Sequence, residues 1–247
     1  MTVRYDLLKY SLRRATRTVS AAMLLVGIAN SSGLAYAQGA AQAPPDNASP
    51  ANAQPASSAP IPASVLTITK HAEGVYSAAN ARRWREASQQ YSLLKAAVAK
   101  LPADVPAGND YAANLVNSTQ GVKNFLDIRD RWGTMGAANT VTIAAANLST
   151  LYRRPFPVEI DLVEAFGREM QLGARARKIG IARAAALKIS QTWEKLRPKL
   201  TDHKAATEAQ RWDTLVSKIE HASTYDAYSR YAQAIMQRAR YLEKLFS

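Results

Sequence analysis

The chain has 247 residues, no cysteine and a formal charge of +13. The absence of cysteine excludes a disulfide framework, a thiolate metal site, a cysteine nucleophile and covalently attached c-type haem. The basic balance bears on attraction to anionic surfaces and on solubility, not on fold.

The first 37 residues read as a secretory signal peptide. Arg4, Lys9, Arg13, Arg14 and Arg17 make a positive start, residues 21–29 are apolar, and Ala35-Tyr36-Ala37 supplies a small-residue cleavage site. The apolar run falls short of the roughly 20 residues that a membrane span needs, so cleavage after Ala37 is expected, with retention as an anchor the alternative. Arg13-Arg14 makes only a weak twin-arginine signal, because Ala15-Thr16-Arg17 follows it. Removing residues 1–37 takes away five basic residues and Asp6, which leaves +9. The address expected is a bacterial periplasm. There, acidic proteins and anionic envelope surfaces are natural partners and specific nucleic-acid binding is not expected.

Residues 38–63 are mostly Ala, Pro, Gln, Asn and Ser. They carry too little apolar bulk to offset the entropy of ordering and read as a disordered tether. Residues 64–247 then form the expected folded domain.

Its first predicted helix runs from Ser64 to Lys100, with Ile68, Ala72, Val75, Ala79, Tyr91, Leu94 and Val98 at three- and four-residue spacing. Leu101-Pro102 ends it. The second runs from Asp110 to about 152. Gly133 and Gly136 mark a place for a kink or split, and Arg154-Pro155-Phe156-Pro157 turns the chain. The third covers 158–197, its apolar side including Val163, Phe166, Met170, Ala174, Ile181, Leu187 and Trp193. Gly167, Gly173 and Gly180 leave room there for a neighbouring helix. The fourth follows Thr201-Asp202 and carries Trp212, Leu215, Ile219, Tyr225, Ala232, Ile235, Tyr241 and Leu245, with an interruption plausible at Ser223-Thr224-Tyr225-Asp226. Four such segments predict an all-α fold, a long, kinked, antiparallel four-helix bundle.

Trp84, Trp132, Trp193 and Trp212 fall one to each predicted segment. They suit core packing first and a shared pocket second. Trp84 lies in Ala81-Arg82-Arg83-Trp84-Arg85-Glu86, a setting that suits a surface or a helix end. His71, His203 and His221 form no Glu-x-x-His pair, so neither a carboxylate-bridged dimetal site nor any other metal site is expected. Met135 and Met170 are formally available as axial haem ligands opposite His71 or His221, but both sit on apolar stripes. Asp161, Glu164, Arg168 and Glu169 fit a salt-bridge ladder along the third helix. Arg168, Arg175, Lys178 and Arg183 make the best local patch for an anionic partner. No nucleophile elbow, phosphate loop or zinc-protease motif occurs.

The reading is an exported, non-enzymatic helical module that binds a protein partner or an anionic envelope surface through basic helix faces. No cofactor, metal or catalytic residue is assigned. The alternative is a metal or noncovalent cofactor carrier, with an enzyme behind it.

Overall fold

The computed structural model describes residues 58–101, 105, 110–203 and 205–246. The expected signal peptide and most of the expected tether lie outside the described residues. Residues 58–62 are described. There Pro60 bridges to Arg153 in parallel, with the Arg153 N–H donating to the Ala59 carbonyl at 2.9 Å.

The described residues form eight helices in place of the four expected. They are α1 (Ala63–Asn80), α2 (Trp84–Val98), α3 (Asp110–Asp127), α4 (Arg131–Ser149), α5 (Val158–Arg175), α6 (Ile179–Asp202), α7 (Ala206–Glu220) and α8 (Tyr225–Phe246). Every predicted segment is folded back on itself as a helical hairpin. The breaks fall at 81–83, 128–130, 176–178 and 221–224. Only the last lies at the interruption anticipated from sequence. The second break precedes Gly133 and Gly136, and both glycines lie inside α4.

The apolar spacing conceals these breaks. Ala79 and Ala87 are two helical turns apart in sequence, as are Ala174 and Ala182, and all four are buried. The stripe therefore keeps its phase across the turn, with no glycine or proline in the first three links. The third segment also runs further than expected. α6 continues through Pro198 to Asp202, held by buried Leu196 and Leu200 on either side of the proline.

The hairpins close into two four-helix bundles packed together, rather than one long bundle. In the first, α1 packs on α2 and α4, and α3 packs on α2 and α4. In the second, α5 packs on α6 and α8, and α7 packs on α6 and α8. The α4–α5 contact joins the halves. Each half has its own core. Ile68, Val75, Leu94, Leu115, Val141 and Leu148 fill the first, and Ile160, Met170, Ile189, Trp212, Ile219 and Ile235 fill the second. Full burial of a large aliphatic side chain contributes about 1.5–3 kcal/mol, so these two clusters are the main source of stability. Leu187 and Tyr241, expected on apolar faces, instead project to solvent.

α4 and α5 are buried on more than one side because each belongs to a bundle and to the joint. Small residues on α4, such as Ala138 and Ala145, permit that double packing. Asn139 crosses the joint, its Nδ2 donating to the Ala165 carbonyl at 2.9 Å. Arg168 of α5 reaches Glu73 of α1 at 2.6 Å. No helix among the described residues is long and apolar enough to cross a membrane.

Candidate functional site: the basic turn end

The titratable groups singled out in the sequence are engaged in local or tertiary ties. His71 Nδ1 lies 2.8 Å from Gln90 Oε1, which links α1 to α2. His203 Nε2 lies 3.1 Å from the Leu245 carbonyl, and its ring stacks on Phe246. His221 Nδ1 lies 2.7 Å from the Ser217 carbonyl. These three histidines sit on different hairpins. Among the described residues, no group of three or more histidine, aspartate and glutamate side chains is placed to hold a metal. Met135 and Met170 are both core residues, in separate apolar clusters.

The four tryptophans do not line one cavity. Trp84 and Trp132 begin α2 and α4 and pack around Ala79, Met135 and Leu172. The position of Trp84 at a helix start agrees with its charged sequence setting. Trp193 and Trp212 stack in the second bundle with centroids 5.3 Å apart and rings 14° from parallel. Trp193 Nε1 donates to Asp213 at 2.9 Å, and Arg197 donates to the same carboxylate through Nε and Nη2. That pairing holds the Asp213 carboxyl below the ordinary carboxylate range, with the Arg197 hydrogen bond the largest cause.

The acidic residues of α5 are not a ladder along one helix face alone. Glu164 accepts from Arg168 on the same helix and from Arg240 of α8. Asp161 is paired with Arg154, and Glu169 with Lys188 of α6. Burial pushes the Asp161 carboxyl up despite Arg154, and does the same to Glu243, which also feels Glu164 and Asp161. Arg168 therefore does not belong to an exposed cationic patch. Its side chain is only 13% exposed and is occupied by Glu73 and Glu164. Arg175, Lys178 and Arg183, its expected companions, are exposed.

Arg175 and Lys178 belong to a larger feature. Residues 81–83, 128–130 and 176–178 connect their helices by the same backbone device. In each, an arginine adopts a left-handed conformation, with φ of 57° at Arg82, 52° at Arg129 and 55° at Arg177. The next N–H reaches back to the last turn of the preceding helix, from Arg83 to Ala78 at 2.8 Å, Asp130 to Phe125 at 3.0 Å and Lys178 to Gly173 at 2.8 Å. These are Schellman closures, in which the left-handed position is normally glycine. A non-glycine residue there costs roughly 1–2 kcal/mol. The attraction of a cation to the helix C-terminus returns about 0.3–1 kcal/mol. A net cost remains at each of three turns, and all three place a long cation in solvent.

The turns also share one end of the molecule. Ala79, Trp84, Trp132, Met135 and Leu172 form a single cluster just beneath the first three. The fourth turn is tied to the third by Tyr225, whose hydroxyl donates to the Arg177 carbonyl at 3.0 Å while its ring lies 6.0 Å from the Arg177 guanidinium. Arg82, Arg129 and Arg175 have no acidic partner within ion-pair distance among the described residues. Nearby carboxylates are partly spent. Glu86 pairs with Arg83, Asp127 with Lys123, and Asp130 caps α4 by accepting from the Trp132 and Gly133 N–H groups. Glu220 and Asp226 are the remaining exposed acids at this end.

A cleft of about 340 Å³ lies between the third and fourth turns, lined by Arg175, Arg177, Thr224, Tyr225, Asp226 and others. A second, about 400 Å³ and wide open, lies at the opposite end against residues 150–158 and Lys199. Its two cations are committed, Arg154 to Asp161 and Lys199 to Glu159. Sequence reasoning found part of the basic end through Arg175 and Lys178. It missed Arg82 and Arg129 as members because nothing in the helical spacing brings the turns together.

No protein-family model matches the chain, and no curated protein or solved structure matches it.

Proposed function

We propose that the chain is an exported, non-catalytic binding module of the cell envelope, periplasmic in location, whose contact face is the basic turn end. The amino-terminal pattern of basic residues, apolar run and Ala35-Tyr36-Ala37 supports export. The observation that carries the binding role is the threefold use of a left-handed arginine. Strained, exposed, non-glycine positions concentrate where function requires them, and here the same choice recurs at Arg82, Arg129 and Arg177. Two closed bundles give that face a rigid support. His71 and Glu169 tie the two helices of their hairpins, and His203 and Glu164 tie the third hairpin to α8, which supports a structural rather than a catalytic use for them.

In-cell photo-crosslinking tests this reading. A crosslinking side chain placed at Arg129 should give adducts that one at Lys95, on a helix flank, does not. The recovered protein should begin at Gln38. Adducts of equal yield from both positions, or a chain retained in the cytoplasm, would sink the proposal.

A further inference from the structure

We infer that the basic turn end docks on an anionic lipid bilayer, with Ile128 entering the interface between the phosphates that the turn arginines engage. This rests on the turn end being the contact face. Ile128 is the residue before the left-handed Arg129 and is 72% exposed at the tip of its turn. A solvated turn has no need of an isoleucine there, and an acidic polypeptide or nucleic acid would use the cations but not the apolar tip. Interfacial lipid uses both. Headgroup phosphates match the guanidinium fork, and the acyl boundary accepts the side chain.

The arrangement of the cations points the same way. Arg82, Arg129 and Arg177 stand on three different hairpins, at the tips of turns held at one level by the apolar cluster beneath them. Arg177 also lines the cleft beside Tyr225, but charges on three separate turns together face a surface rather than wall one groove. Immediately behind them lie the half-buried Trp84 and Trp132, with the Arg131 guanidinium 4.5 Å from the Trp132 ring centroid. Tryptophan with arginine is a pairing suited to the headgroup level of a membrane. Attachment would be peripheral, through charge and one apolar tip acting together.

The test uses the protein as it is recovered from the envelope, with vesicles of equal parts phosphatidylglycerol and phosphatidylcholine and vesicles of phosphatidylcholine alone. The anionic vesicles should bind it, and binding should weaken steeply with salt. The triple variant Arg82→Gly, Arg129→Gly, Arg177→Gly should lose about a hundredfold in partitioning, roughly fivefold per charge. Glycine suits all three backbone positions, so its melting temperature should not fall. A matched variant, Lys70→Gln, Lys95→Gln, Lys195→Gln, removes the same charge from the flanks and should stay within about threefold of the parent. Ile128→Ser should lose about fivefold, a loss that persists in high salt. Equal losses from the two triple variants would overturn the inference, because net charge alone would then explain binding. So would turn-dependent binding of polyglutamate with the anionic vesicles left unbound. That second result, or a polypeptide adduct at position 129, would leave the binding-module reading standing while removing the bilayer.

Discussion

Asp213 on α7 accepts from two side chains of α6, the Trp193 indole and the Arg197 guanidinium. Its carboxyl is held below the ordinary range in the folded chain. In the unfolded chain it titrates near 3.9, so the stabilisation it contributes is complete above about pH 4 and is lost as pH falls through the lower, folded value. The pair is more than one-third exposed on both sides, so solvent screening keeps its contribution small. Its signature should be optical. Trp193 fluorescence should titrate below pH 4 in the parent, and Asp213→Asn should abolish that transition while leaving the fold intact. Asp161 and Glu243 have the opposite sign. Their folded values are raised by burial, so their contribution is fully present below the ordinary carboxylate value and is lost as pH rises through the folded one.

At the scale of the helix and its turn, two glycines that look equivalent in sequence differ in what surrounds them. A side chain at Gly173 would meet the Ala182 backbone nitrogen at 2.6 Å, because α5 and α6 close on each other just below the Arg177 turn. Backbone cannot yield as a flexible side chain can. Gly173→Ala should therefore lose about 2 kcal/mol, the overpacking cost outweighing the roughly 1 kcal/mol gained in helix propensity. At Gly180 the added carbon meets nothing within 4 Å. Gly180→Ala should be neutral or gain up to about 1 kcal/mol. Thermal melts of the two variants check the contrast, since about 1 kcal/mol moves the midpoint of a domain this size by roughly 2–4 °C. The expectation that Gly180 leaves room for a neighbouring helix is thus corrected, and the same expectation holds for Gly173. Gly167 follows Gly173, for Ile235 and Met236 of α8 come within 3.0 and 3.1 Å of its would-be side chain.

Across the whole molecule, Arg168 connects the bundles. It reaches Glu73 in the first and Glu164 in the second, the latter 9% exposed. Arg168→Ala would leave Glu164 with Arg240, 3.4 Å away, as its remaining ion-pair partner among the described residues and would break the α1–α5 tie. We expect a loss of about 3 kcal/mol, read as a lower denaturant midpoint. A loss below about 1 kcal/mol would class the network with ordinary surface pairs. Glu73→Gln, whose carboxylate is 43% exposed, should cost much less.

The helical class was legible from sequence because burying one side of a helix imposes a three-to-four-residue apolar period. Ile68, Leu115, Met170 and Ile219 all occupy the cores that this period predicts. The positively charged, apolar and small-residue order of the first 37 residues was equally local information. The number of helices was not legible. The first and third turns preserve the apolar phase, and all three early turns use arginine where glycine is the usual signal, so neither periodicity nor composition reports the reversal. The basic end was only half visible for the same reason. Arg175 and Lys178 are sequence neighbours, whereas Arg82 and Arg129 join them only after three hairpins close and their tips come level. By itself the sequence determined that the chain is helical, basic and free of cysteine, and that it opens on a basic, then apolar, then small-residue order. Tertiary structure alone decided that its helices reverse into two bundles, that Arg168 lies inside and that the turn arginines share one face, because these depend on contacts between residues far apart in the chain.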